Sequence, residues 1–319
     1  MKSILLVKTS SLGDVVHNLP VVSDIRSAFP GAEIDWVVEE GFAAIPRLHP
    51  AVRHVLPVAI RRWRSQLWRR EARHEVSAFL QQLRARKYDA VIDTQGLLKS
   101  ALIARAAHGM RFGLDWESAR EPLAPFYDRT FNVPWRLHAV QRNRALAAHA
   151  LGYVLPAQVS YGIHALPAKF SWLREARYAV LLQVTSAERK LWAQAHWIEL
   201  GTYFSQSGIG CVLPWGSAAE RERGERLAAR SRGIIVPPAL GLEEAAGLLA
   251  GAQAVIGVDT GLTHLAAALG VPTVGIYCAT DPAATGLYGC AWAANLGAIG
   301  APPQAAEVIA ALERIGNGK

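Results

Sequence analysis

Short apolar runs alternate with segments of helical period along this chain, and the alternation runs twice. No other pattern constrains the fold as strongly. An uninterrupted apolar run of about four to eight residues suits a strand covered on both faces, and strands separated by helices pair in parallel. In the first series, Ile4–Val7, Ile34–Val38, Arg53–Val58 and Tyr88–Ile92 read as strands. Helical patterns run from the Thr9–Asp14 loop to about Phe29, over 72–86, over Gly96–Ala107 and over His138–Leu151. A stretch rich in Gly, Pro and Tyr, from Gly152 to about Leu173, then reads as a linker.

After the linker the series restarts. Tyr178–Val184, Ile209–Leu213, Ile234–Val236, Ala254–Val258 and Thr273–Tyr277 read as strands. Ala195–Ser205, 219–230, Leu242–Ala250, Thr260–Leu269 and a closing Gln304–Ile315 read as helices. The expectation is an α/β protein of two doubly wound, Rossmann-like domains, 1–155 and 156–319, facing each other across a cleft. A length of 319 residues agrees with two domains of about 150 residues each. Ligands of such sheets bind beyond the carboxyl ends of the strands, so those ends are where chemistry is sought.

Charge is unevenly placed. Residues 1–155 hold 22 basic and 14 acidic side chains, whereas 156–319 hold 12 of each, so the whole net charge of +8 belongs to the first domain. Within 51–87, ten basic residues stand against Glu71 and Glu75 alone, and most are arginines (Arg61, Arg62, Arg64, Arg69, Arg70, Arg73). The planar guanidinium fork suits phosphate and carboxylate groups. Hydrophobic residues at 51% and charged ones at 19% exclude a disordered chain. Three cysteines without a C-x-x-C pair argue against a disulfide framework and against a cysteine zinc site. The Ile4–Val7 run is too short for a signal-peptide core, which predicts a cytoplasmic protein. The uncharged runs Thr260–Thr280 and 282–306 are broken by Gly, Pro, Thr or His, and neither offers the ~20 apolar residues of a membrane span.

Four strand ends carry candidate residues. The first, Thr9-Ser10-Ser11-Leu12-Gly13-Asp14, is not a G-x-G-x-x-G turn, and no G-x-x-x-x-G-K-[ST] occurs in the chain. Asp14 fits two roles: an acid in the first turn of its helix, complementing the dipole, or a base for a substrate hydroxyl. After Tyr178–Val184 come Thr185, Ser186 and Lys190, which suit a phosphate or merely begin a helix. Glu220, after Pro214-Trp215-Gly216, suits a ribose diol or a helix start. The fullest signal is Ala254–Val258 followed directly by Asp259-Thr260-Gly261-Leu262-Thr263-His264. Strand, small-residue turn and helix follow without a spacer, so the free N–H groups of Thr260, Gly261 and Leu262 would point at an anion such as a diphosphate, with Thr263 and His264 adding donors.

This set closely resembles the bacterial lipopolysaccharide heptosyltransferases, in order and over essentially the whole chain. Asp93-Thr94-Gln95-Gly96-Leu97-Leu98-Lys99-Ser100 and Asp115-Trp116-Glu117-Ser118-Ala119-Arg120-Glu121-Pro122 look more narrowly like the members that add the first heptose of the inner core. The resemblance implies an inverting GT-B glycosyltransferase with no metal and no cofactor, taking ADP-L-glycero-D-manno-heptose as donor substrate and the Kdo of Kdo2-lipid A as acceptor. By position, Asp14 resembles the general base. Thr185, Ser186 and Lys190 resemble the residues holding diphosphate and sugar, Glu220 the ribose contact, and Leu240 a neighbour of the adenine pocket. Asp259, Thr260, Gly261, Leu262, Thr263 and His264 match the sugar- and diphosphate-binding turn. Arg61, Arg62, Arg64 and Arg120 match basic residues that meet the acceptor. Ser186 stands where threonine is more usual, and Ala187 where a polar residue is. The closing helix would pack back on the first domain.

An acidic lipid acceptor at the cytoplasmic face of the inner membrane explains the arginines interleaved with Trp63 and Trp68 without invoking nucleic acid. The alternatives are a family member taking the already heptosylated acceptor, and a non-catalytic nucleotide- or nucleic-acid-binding protein on the same scaffold.

Overall fold

The computed structural model describes residues 3–66, 68–174, 177–185 and 187–316. The chain forms two compact units, Met1–Ile163 and His164–Lys319. In the first, the strands are β1 (Ser3–Val7), β2 (Glu33–Glu39), β3 (Val52–Val58), β4 (Lys87–Asp93), β5 (His108–Leu114) and β6 (Arg129–Phe131). They form a parallel sheet in the order β3-β2-β1-β4-β5-β6. The second unit holds β7 (Tyr178–Leu182), β8 (Gly210–Val212), β9 (Ile234–Ile235), β10 (Ala254–Val258), β11 (Thr273–Ile276) and β12 (Ala293–Leu296). Its parallel order, β12-β11-β10-β7-β8-β9, repeats the topology of the first.

In each sheet the chain starts in the middle, winds outward one way, then returns to wind the other. The switch falls between β1 and β4 in one unit and between β7 and β10 in the other. At such a point the connections leave in opposite directions and open a crevice beyond the strand ends. Register makes the ends level: Val7 stands beside both Val37 and Asp93, and Gly257 beside Leu182 and Gly275. The Thr9–Asp14 loop therefore meets the loop after Asp93, and Asp259 meets the segment after Leu182.

Burial explains why these runs are strands. Every residue of β1 and of β7 is buried. Leu5, Val7, Val37 and Val91 pack with Phe79, Leu83 and Ala101 in the first unit, and Leu181, Ile256, Val258 and Val274 with Trp192, Trp197 and Leu200 in the second.

Several expectations need correction. The first unit extends through Ile163 instead of ending at Leu155. The buried Arg144 of helix Ala139–Leu151 ties that tail down by donating to the carbonyls of Pro156 and Gln158, while also holding the Asp24 carboxylate. The first helical pattern is two helices, Leu12–Val16 and Leu19–Ala28. Pro20 lies in the first turn of the second, where its missing N–H costs nothing but where it cannot continue a preceding helix. The closing helix Ala305–Gly316 spends its apolar stripe (Ala305, Val308, Ala311, Leu312) on the core of the second unit, with Tyr203 donating to Glu313.

Candidate active site

In the second unit, β10 is followed directly by Asp259 and Thr260, and Thr260 is the N-cap residue of the helix Gly261–Ala268. Gly257 allows this tight entry, since a Cβ there would collide with the Thr263 hydroxyl. Asp259 is the hub of the turn. Its Oδ2 accepts from Lys190 Nζ at 2.7 Å and from Thr280 Oγ1 at 2.8 Å, and its Oδ1 lies 3.4 Å from His264 Nε2. The Asp259 carbonyl accepts from Thr185 Oγ1 at 3.1 Å. Burial alone would raise the Asp259 carboxyl, but the hydrogen bonds from His264, Lys190 and Thr280, with the charge of Lys190, outweigh it and hold the group well below the usual carboxylate range.

Five sequence-derived candidates thus converge at one switch point: Thr185, Lys190, Asp259, Thr260 and His264. The Gly261 and Leu262 amides begin the same helix and take no acceptor among the described residues. Thr263 departs from expectation. Its hydroxyl donates to the Val258 carbonyl at 2.8 Å, its amide donates to Thr260, and the residue is 1% exposed, so it braces the turn and offers no donor outward. Ser186 lies outside the described residues. Thr280 was not foreseen: it follows β11, and only the sheet order brings it beside Asp259.

Glu220 takes part in the start of its own helix, Ala218–Ala228. Its Oε2 accepts from the Gly216 amide at 2.7 Å, and its own amide donates to Ser217 Oγ. Leu240 is half-buried just before helix Leu242–Ala250, in the segment that begins at Pro237, whose carbonyl receives Trp215 Nε1.

The other switch point carries a pocket lined by Lys8, Asp14, Gln95, Arg120, Trp135 and Arg142, among others. Asp14 sits in the helix Leu12–Val16, and its Oδ2 accepts from the Ser11 amide at 2.8 Å and the Ser11 hydroxyl at 3.0 Å. It takes the first of the two roles open to it, an acid at the start of its helix, and it also lines the pocket. Gln95 Oε1 accepts from the amides of Thr9 and Ser10, which locks the two strand-end loops together. Trp135 presents its face to two guanidinium groups, Arg142 at 3.7 Å and Arg120 at 5.9 Å from the ring centre. Lys8, Gln95, Trp135 and Arg142 escaped the sequence reading as individual site residues.

Arg61, Arg62 and Arg64 lie on the helix Ile60–Gln66 and do not line that pocket. Arg62 is engaged internally: it donates to Glu40 and to Glu75, and Glu75 also receives Trp63 Nε1 at 2.7 Å. Those two carboxylates raise its pKa and take three of its five N–H donors, which anchors its helix. Arg61 lies over the Phe42 ring, and Arg64 is exposed with no carboxylate partner among the described residues.

A family model described as glycosyltransferase family 9 (heptosyltransferase) matches residues 76–313. The chain belongs to glycosyltransferase family 9. This family 9 member is a glycosyltransferase, and its two sheets have the GT-B fold. It is 51% identical to lipopolysaccharide heptosyltransferase 1 of Pseudomonas aeruginosa over 297 residues, covering 90% of this chain and 81% of that one. Lipopolysaccharide heptosyltransferase 1 of Escherichia coli K12 is 48% identical over 291 residues, covering 90% of this chain and 91% of the relative. Solved structures of the E. coli heptosyltransferase WaaC superpose throughout. The one with ADP has a TM-score of 0.90 at 45% identity, and the one with ADP-2-deoxy-2-fluoro heptose 0.86 at 44%; each covers 98% of this chain and 99% of its own.

Proposed function

We propose that this family 9 enzyme transfers L-glycero-D-manno-heptose from ADP-heptose to the Kdo of Kdo2-lipid A, with inversion, in building the lipopolysaccharide inner core. The observation that carries the acceptor side is the pocket in which one carboxylate, Asp14, is grouped with three cationic side chains, Lys8, Arg120 and Arg142. A lone carboxylate among cations suits a base acting on a hydroxyl of an anionic sugar.

In this reading Asp14 takes the proton of the acceptor hydroxyl, whose oxygen attacks the anomeric carbon as ADP departs from the opposite face. Negative charge grows on the leaving diphosphate. Lys190 has three N–H donors, one of them given to Asp259, and the others meet that charge together with the amides of Thr260, Gly261 and Leu262 at the helix N-terminus. With charge met in this way, the proposal assigns no metal and no organic cofactor. Glu220 and Leu240 take the ribose and adenine ends of the donor, and Arg61, Arg64 and Arg120 meet the acidic acceptor. Among the described residues, no helix is long and apolar enough to cross a membrane. Arg64, Arg69, Arg70 and the 73% exposed Trp68 are exposed, and in this reading they rest on the anionic cytoplasmic leaflet. Nucleic acid is not needed to account for it.

The deciding experiment offers ADP-heptose with Kdo2-lipid A or with its heptosylated form and follows the acceptor by mass spectrometry. Extension of Kdo2-lipid A by one heptose is expected. Extension of the heptosylated form alone would overturn the acceptor assignment.

A further inference from the structure

At the end of the first sheet away from Asp14, a cavity of about 620 Å³ opens beside the amino ends of β2 and β3. That is the size of a small-molecule site, and none of the residues around it lines the Asp14 pocket. Separate segments build it. Helix Leu19–Ala28 supplies Ser23 and Arg26, the entry to β2 supplies Ala32 and Glu33, and the turn into β3 supplies His49–Ala51 and then Arg53. The tail of the unit closes the wall with Gly162, which has φ +62° and where a Cβ would collide with His49 Nε2 and Ser23 Oγ. Glycine alone takes that path without strain.

The polar groups of this wall are left with donors to give. His49 is 4% exposed, and its Nδ1 accepts from the Ala51 amide at 3.1 Å, so that nitrogen carries no proton and the ring hydrogen sits on Nε2. Nε2 therefore donates to Ser23 Oγ at 3.0 Å, and the Ser23 hydroxyl hydrogen must go elsewhere. No acceptor takes it among the described residues, not even the Leu19 carbonyl one turn back, where helical serines often bond. Arg26, three residues on along the same helix face, is exposed and has no partner among the described residues. Arg53 is committed to Glu33 at 3.1 Å and Asp35 at 3.4 Å, and Glu33 is also held by Arg86. The one carboxylate lining the cavity is thus taken by two cations, while a hydroxyl and a whole guanidinium fork stay open.

We propose that this cavity is a second ligand site, which takes a small organic monocarboxylate: its apolar body lies on Ala32, Pro50 and Ala51, and its carboxylate is received by Arg26 and Ser23. One open guanidinium balances one negative charge, and its fork matches a carboxylate. A phosphate ester carries nearly two charges and would set the excess against Glu33. The site stands apart from heptose transfer and does not depend on that reading.

The test titrates the full chain, with ADP saturating the nucleotide site, against three probes that share one apolar body: 4-phenylbutyrate, 4-phenylbutanol and 4-phenylbutyl phosphate. Calorimetry is expected to give a Kd of about 1 mM or tighter for phenylbutyrate, as its size allows, and at least tenfold weaker binding for the other two. Arg26→Gln is expected to weaken phenylbutyrate at least tenfold, as the loss of a charge-assisted hydrogen bond does, with the Tm of the free protein unchanged. Ala51→Leu keeps every charge, fills the apolar floor and is expected to weaken phenylbutyrate by a similar factor. Arg26 is exposed, so its variant tests the site even if Ala51→Leu does not fold. Equal binding of the three probes would show apolar adsorption only, and tighter binding of the phosphate would exclude the monocarboxylate; either overturns the proposal. So does phenylbutyrate binding that Arg26→Gln leaves unchanged, or no binding at ten times the expected Kd.

Discussion

Lys190 Nζ stands 2.7 Å from Asp259 Oδ2, and the two residues are joined across the switch point of the second sheet. The ammonium arrives from the segment after β7 and the carboxylate from the residue after β10, so parallel pairing of those strands creates the contact. Asp259 therefore sets where Lys190 can act, and Thr280 and His264 set Asp259.

Asp259→Asn removes that anchor while keeping the shape. Hydrogen bonds to charged groups are worth about 1.5–3 kcal/mol, which corresponds to roughly a ten- to hundredfold fall in kcat/KM for ADP-heptose. Initial rates at varied donor concentration check it, and an unchanged value would remove Asp259 from donor binding. The substitution also has a pH signature. The folded Asp259 carboxyl is held below its unfolded value, so its ionisation contributes stability that is present above about pH 4 and lost as pH falls toward the folded value. The Tm gap between wild type and Asp259→Asn is expected to narrow from pH 5 to pH 3, as thermal melts would show.

Asp14→Asn tests the base. General-base catalysis is worth about 10²–10⁴ in rate, so kcat is expected to fall by that factor while ADP still binds with native affinity. Because Asp14 also accepts from the Ser11 amide and hydroxyl, some loss of local order is possible to measure separately: Ser11→Ala removes the hydroxyl contact alone and is expected to retain most turnover. Near-native turnover in Asp14→Asn would exclude Asp14 as the base.

Much of the fold could be read from the sequence because burial on both faces demands unbroken apolar runs. Helix Leu242–Ala250 and strand Ala254–Val258 occur at the residues expected. The elements that escaped are those where that demand is relaxed. β5 is only partly buried and mixes His108, Arg111 and two glycines with apolar residues, while β6 has three residues at the sheet edge. Site residues divide along a similar line. Asp14, Lys190 and Asp259 sit in local patterns that announce a strand end. Lys8 and Thr280 also follow strands, but only the sheet order brings them to the Asp14 pocket and to Asp259, and Arg142 lies within a helix where nothing in sequence marks it. Likewise, the pairing of Arg62 with Glu40 joins residues from separate elements, and arginine content alone gives no sign that this fork already holds a carboxylate.

The engagement of Arg62 separates the arginines of helix Ile60–Gln66 by role. Arg64→Ala deletes an exposed charge and is expected to raise acceptor KM several-fold with no change in Tm. Arg62→Ala and Glu75→Gln remove the same internal contact, so they are expected to resemble each other in acceptor KM. Pairs this exposed, with side chains at 40% and 41%, are screened by solvent and contribute little to stability, so neither change should lower Tm by more than a few degrees. A Glu75→Gln enzyme with native acceptor KM beside an impaired Arg62→Ala would show that Arg62 meets the acceptor directly.

The buried pair of Asp24 and Arg144 makes the clearest stability prediction. The two side chains are 4% and 3% exposed, and the guanidinium additionally serves the carbonyls of Pro156 and Gln158. Removing one partner strands the other charge in the interior, which costs about 3–5 kcal/mol. Arg144→Met is therefore expected to lower the unfolding free energy of the first unit by that amount and to expose the 156–163 tail to proteolysis. Replacing both partners leaves no stranded charge, so Asp24→Leu combined with Arg144→Met should recover part of the loss although the tail stays untied. Denaturant unfolding gives the first result and limited proteolysis the second. A double variant less stable than Arg144→Met alone would show that the carbonyl contacts to Pro156 and Gln158, and not the stranded Asp24, account for the cost.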